Sequence, residues 1–263
     1  MSALSLAVRD SSTMLRRNLL HARRYPSLTL NLLLTPIMLL LLFVYVFGDA
    51  MSAGIGGAGA DRSAYLAYLV PGILLMTIGG TVVGTAVSVS TDMAEGIIAR
   101  FRTMAIHRGS VLIGHVVGSV LQSVASVVLV GAVAVAIGFR STDATALEWL
   151  AALGLLALFA LALTWIAVGM GLISPNAEAA SNNALPMIVL PLISSAFVPL
   201  DAMPGWFRPI AEYQPFTPAI ETLRGLLLGT GIGHHGWLAL AWCLGLTVLG
   251  YVWSKAVFNR DPK

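Results

Sequence analysis

The 263-residue sequence predicts an all-α integral membrane protein with six transmembrane helices and both termini cytoplasmic, and three observations carry that prediction. First, 57% of the residues are hydrophobic and 10% are charged, where a soluble domain has about 45–50% and about 25%. A body of 27.7 kDa with mean hydropathy +0.86 cannot hide so much apolar surface, so much of that surface must face lipid. Second, six runs lack Asp, Glu, Lys and Arg and are long enough, at about 1.5 Å per residue, to cross a hydrocarbon core about 30 Å thick. The runs are continuously apolar, where the strands of a membrane barrel alternate polar and apolar. Third, with both ends inside, eleven of the fifteen basic residues face the cytoplasm, as the positive-inside rule requires.

Residues 1–26 form a cytoplasmic leader. Leu4, Val8, Leu15, Leu19 and Ala22 share one side at helical spacing, and Arg9, Arg16, Arg17, Arg23 and Arg24 share another. That pattern predicts an amphipathic helix lying on the inner leaflet, ended by Pro26. The same arginines also fit a simpler role of holding the orientation. A cleaved signal peptide fits poorly: its apolar core of about 7 to 15 residues would begin sooner. The spanning domain covers 27–254, with runs at 27–47, 65–90, 111–139, 149–173, 184–200 and 237–254, and 255–263 is a cytoplasmic tail. In the fifth run Pro186 and Pro191 each remove a backbone hydrogen bond and predict a kink. Gly80-x-x-x-Gly84 in the second run and Gly114-x-x-x-Gly118 in the third predict close helix crossings.

Two connecting segments stand out. The inner loop 92–108 is short and dense in charge, and Ile97, Phe101 and Met104 fall on one stripe of a short helix flanked by Arg100, Arg102 and Arg108. A stiff knob with an aromatic centre suits docking into a groove on another protein; it equally suits lying on the inner leaflet. The outer segment 201–235 is rich in proline and aromatics, with Pro204, Trp206, Phe207, Pro209, Tyr213, Pro215, Phe216 and Pro218. Proline breaks helices and the aromatic rings prefer the interface, so this stretch is predicted to re-enter the outer leaflet as short pieces. Residues 219–228 then read as a helix with Pro218 near its first turn and Glu221 to Arg224 as an i, i+3 pair.

Absences narrow the chemistry. Of the two lysines, Lys255 precedes Ala256 and Lys263 ends the sequence, so neither can close a phosphate-cradling P-loop. No Asp, Glu, Lys or Arg falls inside a predicted span, which leaves His115 as the one candidate for ion coupling. Ser119, Gln122 and Ser126 continue its face, and Ser194 and Ser195 add hydroxyls from the fifth run; such groups line a pathway or simply hydrogen-bond neighbouring helices. A protease nucleophile system and a His-Glu-x-x-His motif are missing. The pair His234-His235 lacks further ligands, and one cysteine, Cys243, makes neither a disulfide framework nor a cluster site, so no metal is predicted. A net charge of +3 spread this thinly builds no nucleic-acid face.

Taken together, the run Arg100-Phe101-Arg102-Thr103-Met104, with Gly96 before it and Arg108 after it, and the run Met203-Pro204-x-Trp206 leading to Pro215-x-Thr217-Pro218 and Leu223-Arg224, resemble the permease subunit of type-2 ABC exporters. The nearest type is the daunorubicin-resistance exporter of actinobacterial drug and lipid export, and the resemblance covers essentially the whole chain. It departs from the family at Ala105 and His115, where relatives usually carry proline and often arginine. The resemblance implies a dimer of two permeases, the same or homologous, in a bacterial plasma membrane, with two separate ATPase chains that hold ATP and Mg. It implies a coupling helix around Glu95 to Arg102 and re-entrant helices in the outer segment that close the exit. Three functions follow for testing: an ATP-driven exporter permease for a hydrophobic or amphipathic solute, a proton-coupled efflux carrier using His115, and an assembly or immunity factor that moves nothing.

Overall fold

The computed structural model describes residues 26–48, 62–96, 109–141 and 143–259, so the predictions for the leader and for the centre of the 92–108 loop lie outside the described residues. Every regular element among those residues is helical. They run α1 (Pro26–Tyr45), α2 (Arg62–Ala94), α3 (Gly109–Ala136), α4 (Ala146–Ile173), α5 (Ala177–Ala184), α6 (Pro186–Leu192), a 3₁₀ turn (Leu200–Ala202), α7 (Arg208–Tyr213), α8 (Phe216–Leu228) and α9 (His235–Phe258).

Four helices are long and apolar enough to cross a membrane, by length and composition: Ser63–Ala94, Leu112–Ala136, Ala146–Ile173 and His235–Phe258. They coincide with the second, third, fourth and sixth predicted runs. The first run gives α1, apolar over Leu33–Tyr45. Local signals set several helix ends. Thr145 and Glu148 form a capping box at the start of α4, with the Glu148 carboxylate accepting the Thr145 N–H at 2.6 Å. Asn176 caps α5 by accepting the Ala179 N–H. Gly229, in the left-handed region with φ 67°, ends α8 where a side chain would also strike Asp143.

The fifth run departs from a single kinked span. Within it only α6 is α-helical: α5 ends at Ala184 where the run begins, Leu185 separates the two helices, and the α-helix stops at Leu192. Seven residues of α6 rise only about 10 Å. Pro191 inside its last turn and Pro199 after it withhold backbone donors, and residues 193–199 run as turns and irregular chain.

α2 is the hub, touching α1, α3, α4, α5, α6 and α8, while α9 packs chiefly on α4 and α8. Its buried face includes Tyr65, Leu69, Ile73, Ile78 and Val82. Close crossings occur, though not all where the glycine pairs pointed. Gly80 and Gly84 face open space, whereas Gly114 and Gly118 are buried. The tight contact lies one residue earlier, where Gly79 lets the α2 backbone meet the Met187 carbonyl of α6. At Gly72 a Cβ would come within 2.5 Å of the Ala196 Cβ. Glycine serves α9 similarly: a Cβ at Gly250 would fall 2.8 Å from the Trp165 Cβ of α4.

Candidate functional site

Two polar clusters sit on α2, one near each end. Tyr68 and Asp92 lie twenty-four positions apart on this helix, hence about 36 Å along its axis.

The first cluster exists because the chain beyond α6 is not helical. Residues 194–197 are buried, and buried turns must find partners for backbone groups that a helix would have satisfied internally. The partners are side chains from three other stretches. Ser195 donates its N–H to the Thr217 hydroxyl at 3.2 Å, and its carbonyl accepts from the Tyr68 hydroxyl at 2.8 Å and from Arg224 Nη2 at 3.0 Å. Arg224 also reaches the Tyr68 carbonyl, bonds Glu221 Oε1 through Nη1 at 2.5 Å, and places its guanidinium 3.8 Å from the Tyr68 ring centroid. Thr217 in turn donates to the Ala211 carbonyl, and Gln214 Nε2 donates to the Leu190 carbonyl. Ser194 turns back locally, donating to Pro191 and accepting the Ala196 N–H. Planarity and five donors suit arginine to this junction, where one group holds a carboxylate, two carbonyls and an aromatic face. Two buried atoms of the cluster, Ser195 Oγ and Arg224 Nε, have no hydrogen-bond partner among the described residues.

The second cluster joins intact helices. Asp92 and His115 are 6% and 7% exposed, and His115 Nε2 lies 3.0 Å from Asp92 Oδ2. Deeper along the α2–α3 pair, the Thr85 hydroxyl donates to Ser119 at 2.6 Å, and Thr81 and Ser123 are also 2.6 Å apart. Ser119 approaches Thr164 of α4 at 3.3 Å, which ties a third helix to the ladder. Val89 of α2 lies between Thr85 and Asp92 in sequence, and it packs with Leu112 and Val116, which flank His115 on α3.

The ABC-2 type transporter family profile matches residues 10–228. The chain belongs to that family. It is 29% identical to the daunorubicin resistance ABC transporter permease protein DrrB1 of Streptomyces coeruleorubidus, over 97% of this chain and 85% of the relative. A probable doxorubicin resistance ABC transporter permease protein DrrC of Mycobacterium tuberculosis is 23% identical over 66% of this chain and 64% of its own length. Nodulation protein J of Rhizobium meliloti is 24% identical over 82% of each chain. As an ABC-2 family member with long apolar helices, the protein is a multi-pass plasma-membrane permease of an ABC exporter and not an enzyme; ATP hydrolysis belongs to a separate chain. The family works with an ATPase partner and in a dimeric arrangement.

Against this family frame, the residues singled out in the sequence fall in different places. Thr217, Glu221 and Arg224 converge in the first cluster, with Pro215 and Pro218 framing the start of α8, which begins one turn earlier than the sequence predicted. Pro204 and Trp206 stand apart on the surface, Trp206 at 77% exposure with its ring edge-on to Phe207. Glu95 and Gly96 form the turn that ends α2, with Gly96 at φ 69° and its N–H on the Met93 carbonyl. Arg100, Phe101, Arg102, Met104 and Arg108 lie outside the described residues. The four pathway candidates are not brought together: Ser194 and Ser195 belong to the first cluster, His115 to the second, and Gln122 is half-buried two turns from His115.

Sequence reading missed two residues. Asp92 was expected to open the inner loop, yet α2 runs on to Ala94 and buries its carboxylate. Thr77, Thr81 and Thr85 at four-residue spacing marked a polar stripe that leads toward it. Tyr68 gave no signal, because a tyrosine near a span end ordinarily reads as an interfacial ring.

Proposed function

We propose that the chain is the spanning half of an ATP-driven exporter that moves a hydrophobic or amphipathic drug, lipid or natural product out of the cell, with residues 92–108 docking the ATPase and residues 201–235 closing the exit. The observation that carries this reading is that one helix serves both ends: α2 holds the buried turn and α8 through Tyr68, and through Asp92 it leads into the 92–108 segment. Movement imposed at one end therefore has a continuous, packed route to the other. Six spans, termini inside and a re-entrant outer segment belong to the same reading, supported by the distribution of basic residues and by the short helices α7 and α8 of the outer segment. The assembly contains two such permeases, the same or homologous, and two ATPase subunits that supply ATP and Mg. The names of the daunorubicin and doxorubicin relatives favour a planar amphipathic cation as the first solute to try.

The test is co-purification with the partner ATPase, followed by solute-stimulated ATP turnover. Phe101→Ala and Arg102→Ala are expected to weaken the complex at least about tenfold, the scale of one interface anchor. Unchanged complex formation in both variants would contradict docking through this segment.

A further inference from the structure

We infer that Asp92 and His115 form a positioning clasp that makes α2 and α3 one rigid stem, so that force delivered to residues 97–108 displaces the helix pair instead of prying it apart. This inference rests on the reading of 92–108 as the ATPase-docking segment. The segment hangs between the end of α2 at Ala94 and the start of α3 at Gly109, and the clasp joins these stems just inside the membrane end of both. A buried carboxylate demands a partner, and the His115 imidazole with its proton on Nε2 supplies the donor, 3.0 Å from Asp92 Oδ2. Around the clasp, Val89, Leu112 and Val116 pack with Trp165, Val168 and Leu172 of α4 and Phe258 of α9. Next come the Thr85–Ser119 and Thr81–Ser123 rungs, with Thr164 adding α4. The clasp is the only charged rung of this ladder among the described residues, and it is the one nearest the docking segment. Without it, the first contact resisting separation of the stems is apolar packing, which has no direction and slides easily.

A purely structural pair would alter the amount of folded protein; a positioning pair alters how much solute moves per ATP. The experiment therefore uses the permease with its ATPase in proteoliposomes, with daunorubicin as the fluorescent probe, and measures probe uptake and ATP turnover together. Asp92→Ala and His115→Leu are each expected to leave the complex assembled and lower uptake per ATP about tenfold, with the double variant no worse than either single. His115→Gln and Asp92→Asn keep a donor or an acceptor in place and are expected to stay within about threefold of the parent, the residue of a bond made with poorer geometry. Val116→Ala removes packing at the same level and is expected to lower thermal stability while leaving uptake per ATP unchanged. Uptake per ATP preserved in Asp92→Ala and His115→Leu would overturn the clasp. So would a loss of about tenfold in His115→Gln and Asp92→Asn, which can be read even where Asp92→Ala and His115→Leu fail to fold. The docking reading fails on a different readout, complex formation in the Phe101 and Arg102 variants.

Discussion

The two ends of α2 are secured by different chemistry, and the difference follows from what each end must satisfy. Near Tyr68 the partner is a broken helix, so the bonds run to backbone groups: the Ser195 carbonyl and N–H and the Leu190 carbonyl. Near Asp92 the partners are unbroken helices whose backbones are already paired, so side chains meet side chains. The exception among the described residues is Ser90 of α2, which donates to the Ser174 carbonyl at the open end of α4. Removing a side chain at the first end strands buried backbone groups and a carboxylate. Removing one at the second strands, at most, a single hydroxyl or the Ser174 carbonyl, except at the clasp. Buried irregular backbone is thus bought with a cation, and regular helix pairing with hydroxyls.

Several substitutions break or sharpen that contrast. The largest effect is expected from Arg224→Ala, which frees Glu221, two carbonyls and the Tyr68 ring at once; a loss of about 3–5 kcal/mol is the scale for a buried charge left without its partner. The check is thermal unfolding in nanodiscs, with Arg224→Lys recovering only part because an ammonium cannot fork. Gly79→Ala comes next: its Cβ runs into the Met187 carbonyl, so α2 and α6 must separate, at a cost of about 1–3 kcal/mol. Its neighbour Gly80→Ala meets nothing within 4 Å and is expected to shift stability by no more than about 0.5 kcal/mol in the same assay. Thr85→Val removes one rung isosterically and is expected to cost about 0.6 kcal/mol, the average for hydrogen bonds between membrane helices. If Thr85→Val proved as damaging as Arg224→Ala, the proposed division between backbone and side-chain repair would be wrong.

Much of this architecture was legible in the sequence, for physical reasons that also mark where legibility stopped. Composition and charge-free runs located the helices, because lipid enforces apolar length more strictly than any core does. The four longest came out at their predicted places, and Glu221 and Arg224 were paired from spacing alone. The fifth run was read as a kinked helix because its residues are apolar, yet prolines and two serines divert the chain into turns whose partners come from positions far away, such as Tyr68. Long-range satisfaction of that kind leaves no local pattern. The same holds for Gly79: Gly80 and Gly84 matched a spacing motif, but which glycine meets a neighbour depends on how α2 is rotated against α6. Asp92 was placed in a loop because a charge ordinarily ends a span; its burial depends on His115, twenty-three residues away.

In the proposed exporter this chain stores no energy of its own and receives it from a partner. The most direct test is daunorubicin movement in sealed vesicles holding the permease alone, under an imposed pH gradient, and in matched vesicles holding permease and ATPase with ATP. Uphill movement in the second preparation and none in the first is the expected result. Uphill movement by the permease alone, lost in His115→Leu, would contradict it and make His115 the site of proton coupling.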